Sequence, residues 1–266
     1  KADLGFAPDS SFPLTYAEKG LLQVKLHGPG WEDLPLQAGR ALNVVPDKAT
    51  YKGQRLEELL PVIEQSGVNY TEEAGAVTVL GLSKHSKDAA EGVNAIVGLA
   101  ESLSLIQPHP ALLFIADAVG QDATGAALFG EIKDEPSGAL SFNIATLFID
   151  KERSEIGIDI RIPVLADKDA LVERLTEVAA SYQLQYEEFD YLAPLYVPLD
   201  SPLVSTLMKV YQEETGDQTP AMSSGGATFA RTMENCVAYG ALFPGAEQTE
   251  HQANERAKLE DLYRAL

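Results

Sequence analysis

Asp9 and His251 are the two side chains whose type and setting best suit a metal ion. They lie in two polar stretches near opposite ends of the chain, Gly5-Phe6-Ala7-Pro8-Asp9-Ser10-Ser11-Phe12-Pro13 and Thr249-Glu250-His251-Gln252-Ala253-Asn254-Glu255. A carboxylate and an imidazole are hard and borderline donors, and Glu250, Gln252 and Asn254 could orient the ring from outside. Pro8-Asp9-Ser10-Ser11 is also good turn chemistry, in which Asp9 would satisfy its own backbone. Three further places could do chemistry. Arg161 interrupts a strand in which Ile156, Ile158, Ile160 and Ile162 alternate, so it either faces solvent or holds an anion, for which a guanidinium is suited. Ser224-Gly225-Gly226 is either a flexible turn or a place where backbone amides approach an anion. His85 follows an apolar strand and precedes a helix start, the position of a capping or loop histidine.

Positioning these groups requires a mixed set of elements. Apolar–polar alternation predicts a strand from Gly20 to Leu26, and Ala41–Pro46 reads as a second that its proline ends. A helix is expected over Arg55–Ile63, with Pro61 a blemish, and a strand over Gly75–Leu82. A long helix is expected from Asp88 to Leu105, then a short apolar one from Ala111 to Val119. Ala139–Ile149 and Glu155–Ile162 read as a hairpin turning at Asp150–Arg153. Asp167 should cap a helix carrying Leu171, Leu175 and Val178, and Leu184–Leu192 a last strand of this region. Beyond Ala193–Pro198, Asp200-Ser201-Pro202 opens a helix running to Thr215-Gly216, and Asn254–Ala265 should form another. Two sequential α+β sets between residues 20 and 192 imply antiparallel sheets with helices on one face.

Composition narrows the partners. A chain of 266 residues with a net charge of −20 would be repelled by nucleic-acid phosphates and anionic lipid surfaces. No stretch approaches the roughly 18 uninterrupted apolar residues of a membrane span. The start Lys1-Ala2-Asp3-Leu4 carries no apolar signal region, and the expectation is a cytoplasmic protein binding neither nucleic acid nor membrane. The single cysteine, Cys236, sits in an apolar run and reads as a buried structural thiol. His27 and His109 read as loop histidines, and Arg231 as structural or paired with a carboxylate. Glu57-Glu58, Glu72-Glu73, Glu187-Glu188 and Glu213-Glu214 read as solvated pairs.

Seven motifs occur in order: Gly5–Pro13; Asn43-Val44-Val45-Pro46-Asp47; Gly81-Leu82-Ser83-Lys84-His85 with Gly92-Val93-Asn94-Ala95; Asp159-Ile160-Arg161-Ile162-Pro163-Val164; Ser223–Arg231; Gly240–Gly245; and His251–Glu255. Together they resemble the peptidase V branch of the di-zinc exopeptidases, relatives of carnosinases, aminoacylases and succinyl-diaminopimelate desuccinylase. The resemblance implies an α/β catalytic domain interrupted by a lid of two fused α+β halves. It assigns residues 1–18 and 194–266 to the catalytic domain and 19–193 to the lid.

It further implies two zinc ions, replaceable by cobalt or manganese, with Asp9 and His251 as ligands. His85 would stabilise the oxyanion of the tetrahedral intermediate. Arg161, with Ser224, Gly225 and Gly226, would hold the free carboxylate of a small peptide substrate, and Asn43 would contact a substrate end. The family's His-x-Asp segment, paired glutamates and bridging aspartate find no counterpart here. They are expected upstream of Lys1, in a segment of the same protein or in a separate chain. The activity so implied is zinc-dependent dipeptide hydrolysis. An N-acyl amino-acid deacylase and a non-catalytic binding module are the alternatives.

Overall fold

The structure is a computed structural model that describes residues 2–247, 249 and 254–265. Its architecture is mixed α/β and falls into two compact units. One comprises Lys1–Gly20, Glu135–Ser137 and Ala193–Leu266; the other comprises Leu21–Asp134 and Gly138–Leu192.

The larger unit is built on two sheets. In the first, five strands lie in the order Gln185–Leu192, Gly20–Pro29, Arg153–Ile162, Ser141–Ile149 and Leu36–Ala38. The Ser141–Ile149 and Arg153–Ile162 pair is the expected hairpin, antiparallel with Ser141 opposite Arg161 and Asn143 opposite Asp159. Ile156, Ile158, Ile160 and Ile162 all point into the core. The same alternation that buries the isoleucines therefore places Asp159 and Arg161 together on the other face. A bulge falls between Ile144 and Thr146. Gly39 fits against it at a φ of +76°, where a Cβ would lie 2.0 Å from the Ala145 carbonyl oxygen. The second sheet has three antiparallel strands, Lys48–Tyr51, Ala76–Leu80 and Tyr70–Glu73, with Ala76–Leu80 in the middle. One continuous apolar cluster joins strand residues such as Leu22, Val24 and Val79 to Ile96, Leu99 and Leu103 of the helix Ala95–Ser104 and to Leu171 and Leu175 of the helix Lys168–Ser181. Asp167 caps the latter as expected, accepting from the amides of Asp169 and Ala170.

Two expectations in this unit are corrected. Ala41–Pro46 is not a strand: Leu42 and Asn43 form a turn and Val44 makes a single bridge to His85. Its backbone groups serve a distant segment instead of a ladder. The Asn43 carbonyl accepts from the Ser86 amide at 2.9 Å, and the Leu42 carbonyl from the Ser86 hydroxyl at 3.0 Å. The helix expected over Asp88–Leu105 is two elements, a 3₁₀ turn Ser86–Glu91 and the α-helix Ala95–Ser104. Asn94 makes the division, since its Oδ1 accepts from the amides of Ile96 (3.0 Å) and Val97 (3.2 Å) and so starts a new helix. The short apolar helix is also divided, into Pro110–Leu113 and a π turn Phe114–Val119.

The smaller unit centres on the buried strand Thr15–Glu18. Met222–Ser224 runs parallel to it and Leu195–Tyr196 antiparallel. Cys236–Ala238 meets it at Thr15 and pairs in parallel with Gly5–Ala7. The helix Pro202–Thr215 begins at Ser201, whose hydroxyl accepts from the Val204 amide at 3.2 Å, and ends at Gly216 in the left-handed region. Phe12 stacks on Tyr211 at 5.4 Å between ring centroids, with Phe243 completing that cluster. The final helix is shorter than expected, Leu259–Ala265. Among the described residues, no helix is long and apolar enough to cross a membrane.

Candidate functional site

In the larger unit, the candidate residues cluster on the polar face of the Arg153–Ile162 strand. Arg161 donates from Nε to Asp159 Oδ1 at 2.6 Å and from Nη2 to Asp159 Oδ2 at 3.1 Å. Gln23, on the neighbouring strand, donates from Nε2 to Asp159 Oδ2 at 3.1 Å. Both charged side chains are almost wholly buried, 4% exposed for Arg161 and 0% for Asp159. Neither expectation for an isolated arginine, solvent or an external anion alone, describes it; its first partner is a carboxylate two residues away. Strand spacing was the signal that could have revealed Asp159, because residues i and i+2 share a face.

His85 is exposed and caps the Ser86–Glu91 turn, its Nδ1 accepting from the Lys87 amide at 3.1 Å. Desolvation first, then the Arg161 guanidinium and the Lys87 ammonium, push its imidazole below the ordinary histidine value. Asp159 and Asp88 oppose the shift. Since Nδ1 must present a lone pair to Lys87, the neutral ring carries its proton on Nε2. Asn43 is exposed in the turn beside this segment. Beneath it lies a buried amide and hydroxyl network that the sequence reading missed. Asn143 Nδ2 donates to the Val44 carbonyl (2.9 Å) and to Ser86 Oγ (2.8 Å), and Asn94 Nδ2 donates to Asn143 Oδ1 (3.0 Å).

In the smaller unit, Asp9 is exposed and its Oδ2 accepts from the Phe229 amide at 3.0 Å. His251 lies outside the described residues. Among the described residues no group of three His, Cys, Asp or Glu side chains is placed to hold a metal ion. One carboxylate does not by itself make a di-zinc site. The Ser224–Gly226 loop is held from within: the Gly226 amide donates to Ser224 Oγ at 3.0 Å, and the Ser224 carbonyl accepts from the Lys19 amide at 2.9 Å.

Next to that loop is a buried carboxylate–guanidinium knot. Glu18 is fully buried and accepts from the Thr228 amide (3.1 Å), the Thr228 hydroxyl (2.6 Å) and Arg231 Nε (2.8 Å). Arg231 is thereby paired with a carboxylate. Cys236 is buried, and burial raises its thiol above the ordinary value, in keeping with a structural role. Of the glutamate pairs, Glu187 meets His27 at 2.6 Å and Glu188 meets Lys168 at 2.6 Å, both at the surface.

The family model described as Peptidase family M20/M25/M40 matches residues 16–266, nearly the whole chain. The chain belongs to this family. Among M20 relatives, it is 33% identical over 286 residues to a Bacillus subtilis (strain 168) protein described as a "putative dipeptidase", with 98% of the chain and 61% of that protein covered. It is 30% identical over 287 residues to a Staphylococcus aureus (strain USA300) protein of the same description, with the same coverage. The chain thus spans 61% of the length of these curated relatives. Its fold resembles that of an aminoacylhistidine dipeptidase from Vibrio alginolyticus, with a TM-score of 0.51 at 11% identity, over 91% of this chain and 60% of that one.

Proposed function

We propose that this M20 chain supplies the lid and part of the catalytic scaffold of a zinc-dependent dipeptidase. The observation that carries the reading is the match over 98% of the chain to proteins described as "putative dipeptidase". In this reading the unit containing Leu21–Asp134 and Gly138–Leu192 is the lid, and the other unit is part of the catalytic domain. Asp9 and His251 would serve as metal ligands. Zinc, or cobalt or manganese in its place, would polarise the scissile carbonyl and lower the pKa of a water.

The chain's own residues have separable tasks. Arg161, already oriented by Asp159, and the Ser224–Gly226 loop hold the substrate's terminal carboxylate, with Asn43 at a substrate end. His85 donates from Nε2 toward the developing oxyanion. A neutral imidazole suits that task, and the lowering of its pKa by desolvation and Arg161 favours that form. The setting is cytoplasmic.

The test is the protein as isolated from its source, offered dipeptides and N-acyl amino acids with each metal in turn. Dipeptide hydrolysis abolished by a chelator and restored by zinc is expected. Turnover of N-acyl amino acids alone would move the assignment to a deacylase, and no turnover with any of the three metals would overturn it.

A further inference from the structure

Arg231 makes more backbone contacts than an ordinary ion-pair partner needs. Besides Glu18, its guanidinium donates from Nη1 to the Ala193 carbonyl at 2.7 Å, and from Nη2 to the Lys19 carbonyl at 2.5 Å and the Gly226 carbonyl at 2.9 Å. Lys19 and Ala193 are not arbitrary acceptors. The smaller unit's first segment ends at Gly20, one residue after Lys19, and the chain re-enters that unit at Ala193. Gly226 belongs to the Ser224–Gly226 loop. One planar cation therefore ties the loop to the end of the unit's first segment and the start of its last, two of the points where the chain crosses between units.

We infer that Arg231 is a positioning residue: it fixes the Ser224–Gly226 loop to the crossings at Lys19–Gly20 and Ala193, so that the loop and these two crossings shift only together. The physical basis is burial and geometry. The two side chains are 9% and 0% exposed, so their hydrogen bonds are charge-assisted and little screened. A guanidinium presents its donors in a fixed planar fan, which lets it reach four acceptors in different directions. An ammonium is a point charge with three donors and cannot reproduce the fan. Glu18 anchors Nε and, through the Thr228 amide and hydroxyl, also fixes the segment that follows the loop. Displacing Gly226 would strain the bonds to Lys19 and Ala193, and movement at either crossing would be felt at Gly226. The consequence for catalysis rests on reading this loop as a carboxylate-binding element of a dipeptidase.

The experiment compares the isolated protein with its Arg231→Lys and Glu18→Gln variants by hydrogen exchange and steady-state dipeptide kinetics. In either variant, exchange should quicken at Ser224–Thr232 and, together with it, at Lys19–Gly20 and Leu195–Tyr196, while the helix Pro202–Thr215 keeps its protection. KM for dipeptides should rise about tenfold with kcat held within about threefold, the pattern of lost binding and not of lost chemistry. Quickened exchange confined to Phe229–Thr232, uniform loss of protection through the unit, or an unchanged KM would each overturn the inference. If the parent protein turns over no dipeptide, the dipeptidase reading fails, while the exchange pattern still decides whether Arg231 joins the loop to the crossings. Glu18→Gln keeps the shape of the knot and removes its charge, so it carries both readouts should Arg231→Lys not fold.

Discussion

Asp159 and Arg161 stand two residues apart on one strand and close a two-point hydrogen-bonded ion pair, 2.6 Å at Nε and 3.1 Å at Nη2. Their burial makes the pair mutually dependent. Each charge has been removed from water, and each is compensated first by the other. A guanidinium held this way has lost the rotamer freedom that a solvent-exposed arginine would surrender on meeting a ligand, and that loss opposes binding.

Removing one partner should therefore be far worse than removing both. Asp159→Ala leaves a buried guanidinium without its main counter-charge and is expected to destabilise the protein by about 3–5 kcal/mol. The Asp159→Ala, Arg161→Met double variant should recover part of that loss, because no buried charge is left without its partner. Urea unfolding of the two single variants and the double variant measures the coupling. Additive losses would show that the pair is not a unit.

His109 predicts a pH dependence of stability. It is fully buried, its Nδ1 accepts from the Ala111 amide at 3.1 Å, and its Nε2 lies 3.0 Å from the Pro29 carbonyl. These partners fit one species, the neutral ring with its proton on Nε2. Burial lowers its pKa, against a smaller opposing effect of the Pro29 carbonyl. The unfolded chain, at about 6.5, thus binds the proton more readily than the folded one. Stability should be full above that value and decline as pH falls through it toward the lower folded pKa. Thermal melts between pH 5 and 8 should show the decline, and His109→Asn, which can still cap the following turn, should flatten it. An unaltered slope in the variant would remove His109 as the cause.

What could be read from the sequence was local. The strand from Gly20, the cap at Asp167 and the Ser201-Pro202 helix start are each fixed by neighbours within a few residues, and the structure has them. Ala41–Pro46 has a strand's composition, but its carbonyls are claimed by Ser86 and Asn143, which no local pattern reveals. The Arg231–Glu18 pair spans 213 residues, and the Asp9–Phe229 contact spans 220. The Asp159–Arg161 pair was legible in principle, since an acidic and a basic residue at strand spacing within an isoleucine run can satisfy each other. Motif order supplied the candidate residues; their partners came from the tertiary fold.

Asn94 and Asn143 should couple strongly. Asn94 caps the helix Ala95–Ser104 with its oxygen and donates to Asn143 Oδ1 and the Ile144 carbonyl with its nitrogen. Asn94→Asp preserves the cap but replaces a donor with an acceptor facing Asn143 Oδ1. It should cost about 1–3 kcal/mol, whereas a change to the cap alone typically costs about 1 kcal/mol. Asn94→Ser also keeps a capping oxygen but only removes the donors, so chemical denaturation of the two variants separates the lost bonds from the repulsion that a carboxylate adds against Asn143 Oδ1. Equal losses would mean that this repulsion carries little.

His85 offers the most direct electrostatic test. Its pKa is lowered by desolvation and then by Arg161, with Asp159 opposing. An NMR titration of the ring should place it below about 6.5, the ordinary histidine value. Arg161→Met removes a positive neighbour, so the charged imidazolium becomes less unfavourable and the pKa should rise. Asp159→Asn removes the opposing carboxylate while leaving the guanidinium nearby, so the pKa should fall further. The two shifts must carry opposite signs if the Asp159–Arg161 pair governs the ring, and desolvation alone predicts no such opposition. Lysine 87 is an internal control: Lys87→Met should raise the pKa by less than Arg161→Met, because its effect is the smaller. Shifts of the same sign in the Arg161 and Asp159 variants would show that His85 senses a rearranged backbone and not the field of the pair.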